Sequence, residues 1–289
     1  MPLVLLLLVL LCSPAVAEPL LKPHDVLALV GGEDMAALAE SGYLEWQLAV
    51  AQPEAEVQVR SLAWEGDTVF TQARELNYPE LAAQLQEIGA TVVIAQFGQA
   101  EALSGQTSAS TFTAAYETLL KKLGEGRRVV VVAPTVPKQG AAGVVAYTKA
   151  VEEMAQRNGW RFVAALQQRP SERDLWRDGL HLAAAGLVEL GSQIFEQLQE
   201  RPGRALLTTD QGNQWELLKL IRAKNRYWFH YSRPQNWAFL NGDRVNQPSS
   251  RDHRDPSKRW FPEEMQQWLP LIATKEREIW TLARRNALP

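Results

Sequence analysis

The sequence predicts an α/β fold: a three-layer α/β/α sandwich on a mainly parallel five-stranded sheet, with a C-terminal helical extension. Two observations carry this. From Asp25 to about Glu200, short β-branched runs alternate with longer amphipathic stretches, the pattern of successive βα units. Beyond Arg201 the alternation stops, and the tail reads as helix, irregular aromatic segment and helix, with Trp215, Trp228, Trp237, Trp260, Trp268 and Trp280 concentrated there. The strands fall at Val26–Val30, Val57–Leu62, Thr91–Phe97, Arg128–Ala133 and Trp160–Ala165. Helices fall around Met35–Ala51, Pro79–Ile88, Thr111–Leu123, Ala142–Asn158 and Ala183–Gln199.

Residues 1–17 form a nearly unbroken apolar run closed by Ala15-Val16-Ala17, the small-x-small pattern of an export signal cleaved before Glu18. The stretch is short for a bilayer span, so a cleaved leader and a secreted or periplasmic chain are expected, with an N-terminal membrane anchor as the alternative. The domain plan is therefore leader 1–17, α/β domain 18–200 and Trp-rich extension 201–289. Cys12 is the single cysteine and lies in the leader, which leaves the mature chain without thiol or disulfide chemistry. A net charge of −3 offers no surplus of cations for phosphates, so nucleic acid is not an expected partner. The four histidines show no metal-ligand spacing, and no glycine-rich dinucleotide fingerprint or P-loop follows a strand; neither metal nor cofactor is expected.

Catalytic groups in such a sheet sit on the loops leaving the strand C-terminal ends. Four of these loops stand out: Gly31-Gly32-Glu33-Asp34, Gly66-Asp67-Thr68, Gly98-Gln99-Ala100-Glu101 and Asp178-Gly179-Leu180-His181. In the last, an Asp three residues before a His can orient the imidazole while the ring faces a cleft. Thr68 reads as a turn-capping hydroxyl. Ser104, Ser108 and Ser110 read as a solvated loop, with one of them as the next helix's N-cap.

In order and position these loops resemble the four blocks of the SGNH (GDSL-type) hydrolases, whose flavodoxin-like sandwich the strand pattern also fits. The resemblance makes His181 the general base, Asp178 its orienter and the Gly66 N–H an oxyanion donor. It aligns Gly31-Gly32-Glu33 with Gly-Asp-Ser and Ala100 with the oxyanion asparagine. The segment Ala223–His230, with Arg233-Pro234-Gln235-Asn236, resembles the C-terminal extension of secreted bacterial GDSL-like proteins. Gly32, Gly66 and Ala100 would then bound the oxyanion side of the cleft, and Asp34, Gly98 and Trp64 its ligand side. A one-residue slip would put Asp34 rather than Glu33 at the nucleophile position; neither supplies a hydroxyl.

Three readings follow: an ester hydrolase in which Glu33 holds a water beside His181; a pseudoenzyme that binds a carbohydrate or acyl-ester ligand without turnover; and an envelope assembly protein using its aromatic tail. Losing one oxyanion donor costs about 10²–10³ in rate, and losing the nucleophile costs more, which favours the second. A Glu33 carboxylate beside the imidazole is expected to form an ion pair and hold His181 protonated. Half of the aromatics at 227–231 are expected to pack against the sheet domain, and the rest to line a sugar-sized cleft with Arg233, Gln235 and Asn236.

Overall fold

Five parallel strands pair in the order β2-β1-β3-β4-β5: β1 Val26–Gly31, β2 Gln58–Ser61, β3 Val92–Gln96, β4 Arg128–Val132 and β5 Arg161–Val163. The computed structural model describes residues 20–137, 141–166, 175–199 and 211–287. The leader, Cys12 and the expected boundary near residue 200 lie outside the described residues.

The strands are short continuous apolar runs because both sheet faces are covered. Leu27, Leu29, Ile94, Val130 and Val132 point to one face. They meet Met35 and Leu38 of α1 (Glu33–Ser41), Leu44 of α2 (Tyr43–Ala51), and Ile194 and Phe195 of α7 (Ala184–Leu198). The intervening Ala28, Val30, Val93, Ala95 and Val131 point the other way. Their partners are Leu85 of α3 (Leu81–Glu87), Phe112 and Tyr116 of α5 (Ala109–Leu123), and Val151 of α6 (Ala141–Arg157).

Two expectations are corrected. The stretch Met35–Ala51 is two helices, α1 and α2, because Gly42 takes φ +74° and caps α1 with its N–H on Leu38 O. A Cβ there would also lie 2.9 Å from Ile221 Cγ2. The segment after β3, read as loop, contains a short helix, α4 (Gln99–Ser104). Ser108 is the N-cap of α5, its Oγ accepting from Thr111 N at 3.1 Å.

The tail builds onto the β2 edge of the sheet. Helices α8 (Gln211–Ser232) and α11 (Trp268–Ala287) share a cluster with α2 formed by Trp46, Leu217, Ile221, Ile279 and Leu282. Because β2 has no strand beyond it, the carbonyls of 59, 61 and 63 face outward, and side chains from the tail take all three. Lys224 Nζ donates to Val59 O (3.0 Å), Trp228 Nε1 to Ser61 O (2.7 Å) and Arg233 to Ala63 O. Trp228 is buried, Tyr227 and Tyr231 pack partly against the second core, His230 stacks on Trp268, and Phe229 is exposed. Two further helices, α9 (Trp237–Leu240) and α10 (Trp260–Gln266), complete the extension. Among the described residues no helix is long and apolar enough to cross a membrane.

Candidate functional site

In a 2-1-3-4-5 sheet the chain leaves β1 and β3 toward opposite faces, which opens a crevice at their C-terminal ends. Glu33 and Asp34 occupy the first turn of α1 directly after β1. Trp64 N donates to Gly31 O at 3.0 Å, extending the β2 pairing and bringing the Glu65–Asp67 turn alongside. A Cβ on Gly32 would lie 3.3 Å from Asp67 O and 3.7 Å from Glu65 O. Gly66 itself faces open space, and its N–H has no acceptor among the described residues.

The turn is held rigidly. Asp67 and Arg74 form two 2.7 Å bonds, and the guanidinium groups of Arg74 and Arg233 lie 4.2 and 4.6 Å from the Trp64 ring centroid. Arg233 also pairs with Glu65 at 2.8 Å. Trp64, expected on the ligand side, is half-buried and carries both guanidinium groups against its ring. Glu101, buried in α4, ties the second loop to the third: Oε1 accepts from Val69 N (2.8 Å) and Oε2 from Gly98 N (3.0 Å).

Gly98, also expected on the ligand side, is buried and spends its N–H on Glu101. At φ +111° and with a Cβ only 2.8 Å from Phe112 Cζ, the position admits no side chain without strain. Gly98→Ala is expected to cost about 1–3 kcal/mol in a urea titration. An unchanged midpoint would show that the turn can relax. Ala100 is exposed and contributes only a methyl group.

His181 and Asp178 form a self-contained unit. A tight loop, closed by the antiparallel bridge Trp176↔Leu182, lets Asp178 Oδ1 accept from His181 N (2.8 Å) and Leu180 N (3.1 Å) while Oδ2 meets His181 Nδ1 at 2.7 Å. These bonds, the backbone N–H of His181 first, hold the Asp178 carboxyl well below its usual range. An ionised Asp178 fixes the proton on Nδ1 and leaves Nε2 as the outward-facing base. Nε2 has no hydrogen-bond partner among the described residues.

The expected Glu33–His181 ion pair does not form. Glu33, half-buried at the first position of α1, makes no side-chain hydrogen bond or ion pair with a described residue. Asp34, one residue on, turns inward and is buried. Thr135 Oγ1 donates to Asp34 Oδ2 at 2.5 Å, and Gln99 Nε2 donates to Thr135 Oγ1 at 2.9 Å. Burial raises the Asp34 pKa to about 6; the Thr135 bond opposes this, the Glu33 charge adds to it, and His181 pulls it down. Thr135 and Gln99 had no sequence-level role. The one cue for Thr135 was its place between two prolines just after β4.

The loops at this end of the sheet thus carry an oriented imidazole, a backbone donor with no acceptor among the described residues and two carboxylates of different burial. The sequence matches the GDSL-like Lipase/Acylhydrolase family over residues 30–187, more than half of the chain. The chain belongs to that family. Among solved structures it is similar to LAE5, an alpha/beta hydrolase enzyme from the metagenome of Lake Arreo, Spain, with TM-score 0.51 and 14% identity over 62% of this chain and 96% of that one. It is also similar to TesA, with TM-score 0.50 and 20% identity over 60% of this chain and 98% of that one. Both likenesses concern the fold. Among curated protein sequences none matches the chain.

Proposed function

We propose that this chain is an exported member of the family that binds an acyl ester of a carbohydrate in the β1/β3 crevice and does not turn it over by serine chemistry. The observation that carries the reading is the first turn of α1, which presents carboxylates and no hydroxyl: Glu33, aligned with the family's nucleophile by resemblance, has no side-chain partner among the described residues. Among the described residues, the hydroxyls on the loops that leave the strand ends are already hydrogen-bonded. Thr135 is fully buried against Asp34, Thr68 accepts from Thr71 N, Ser104 donates to Glu101 O and Ser108 caps α5. The exposed Ala100 has no side-chain donor for an oxyanion. The Gly66 N–H remains as a donor for a ligand carbonyl, and His181 Nε2, oriented by Asp178, as an acceptor for a ligand hydroxyl.

A second reading, hydrolysis through a carboxylate-held water, draws support from Asp34, whose raised pKa of about 6 suits proton transfer near neutrality. One assay separates the two. The chain from Glu18 onward is incubated with short-acyl nitrophenyl esters and acetylated oligosaccharides, beside His181→Ala, Asp34→Asn and the double variant Glu33→Ser/Ala100→Asn. The expected result is no His181-dependent turnover in the parent and a gain of at least about 10²-fold in the double variant. Parent turnover that vanishes in His181→Ala overturns the binding reading, and its loss in Asp34→Asn as well selects the second.

A further inference from the structure

We propose a second ligand site, for a short acidic saccharide, in the cavity between the tail and the sheet domain. The cavity has a volume of about 310 Å³ and is walled by Tyr78, Trp228 and Trp237, with Gln84, Arg259 and Gln266 among its polar groups. That is the lower end of the ~300–1,000 Å³ range of small-molecule sites, a size suited to one or two sugar rings. No residue of the His181 cleft lines it, so the proposal stands independently of how that cleft is read.

The aromatic rings are anchored by their polar tips. Trp228 Nε1 donates to Ser61 O (2.7 Å), Trp237 Nε1 to Leu76 O (2.8 Å) and the Tyr78 hydroxyl to Ser232 O. What these rings contribute to the cavity is therefore hydrocarbon surface, which suits the C–H faces of a pyranose. Gln84 is fixed through Nε2 on Pro79 O (2.8 Å), leaving its carbonyl oxygen for a hydroxyl donor.

Arg259 sets the charge of the occupant. Its Nη2 is spent on Phe239 O (2.9 Å) and Leu240 O, which orients the guanidinium. Nε is buried without an acceptor, Nη1 makes no hydrogen bond, and no carboxylate among the described residues lies within ion-pair distance of Arg259. Glu87 also lines the cavity, where it accepts from the Tyr231 hydroxyl, but it makes no ion pair with Arg259. An oriented guanidinium with an unused donor, set in an aromatic-walled cavity, is completed by an anion on a sugar ring.

The test is calorimetric titration of the chain from Glu18 onward with D-glucuronate, D-glucose 6-sulfate and D-glucose. Glucuronate is expected to bind at least about tenfold tighter than glucose, Arg259→Gln to lose that difference, and Arg259→Lys and His181→Ala to keep it. Comparable binding of the sulfate ester assigns the site to anionic sugars generally, whereas weak binding narrows it to uronic acids. Glucose binding as tightly as the acids, no binding of either acid, or an unchanged difference in Arg259→Gln overturns the proposal. Should Arg259→Gln fail to fold, Met265→Trp, which fills the cavity, must abolish binding for the proposal to survive.

Discussion

Lys224→Ala is expected to cost about 3–5 kcal/mol of folding stability, the range for removing one partner of a buried ion pair. Lys224 is fully buried at the junction of the tail and the sheet, 2.8 Å from Glu45 Oε2 and 3.0 Å from Val59 O. Burial pushes the Lys224 pKa down and the Glu45 pKa up, so each charge is tolerated because the other is present. A second pair, Arg60–Glu276 at 2.5 Å, lies beside the first, and Arg60 also covers the Trp228 ring. Alanine at 224 strands the Glu45 carboxylate and leaves Val59 O with the longer 3.3 Å bond from Arg60 Nη1. Replacing both members, Lys224→Met with Glu45→Leu, should recover most of the loss. Urea unfolding of the two single variants and the double variant decides the matter. A double-variant loss equal to the sum of the single losses would show that the two groups do not stabilise each other.

Asp34→Asn is expected to gain stability relative to the parent as pH rises, by about 3 kcal/mol between pH 3 and pH 7. The folded-state pKa of about 6 lies above the 3.8 of a free aspartate side chain. Between those values the folded chain holds the extra proton, so the parent loses stability as pH climbs through the window and reaches a plateau above it. At about 1.4 kcal/mol per tenfold change in proton affinity, the window is worth roughly the figure given. Asparagine keeps an oxygen for the Thr135 hydroxyl and does not titrate. Parallel stability–pH curves for parent and variant would show that Asp34 is charged in the fold without penalty. A buried carboxyl that weakens the protein at neutral pH is what a site retained for chemistry or recognition leaves behind.

The strands were legible within about two residues because β-branched runs bounded by polar loops leave little choice of register. The helix breaks were not. Apolar spacing runs through Leu38, Leu44 and Leu48 without pause, and Gly42 interrupts it through the close approach of Ile221, a residue far along the chain. The six-residue α4 is too short to show periodicity; the glutamate that closes its first turn, Glu101, was visible as a motif position but not as a bridge between two loops. In the cleft, Asp178 and His181 were readable because their bond is local. Glu33 and Asp34 were not separable, since which carboxylate points inward depends on Thr135, a hundred residues away.

The three carbonyls of Val59, Ser61 and Ala63 have a consequence for how the chain behaves in company. An open parallel strand is a template on which another chain can add a strand, and short α/β domains manage that hazard with a cover or with charge. Here an ammonium, an indole and a guanidinium occupy the acceptors that an incoming strand would need, at the strand's own two-residue repeat. The tail therefore closes the β2 edge of the sheet, and a segment that contributes no catalytic block acts against strand addition on that side.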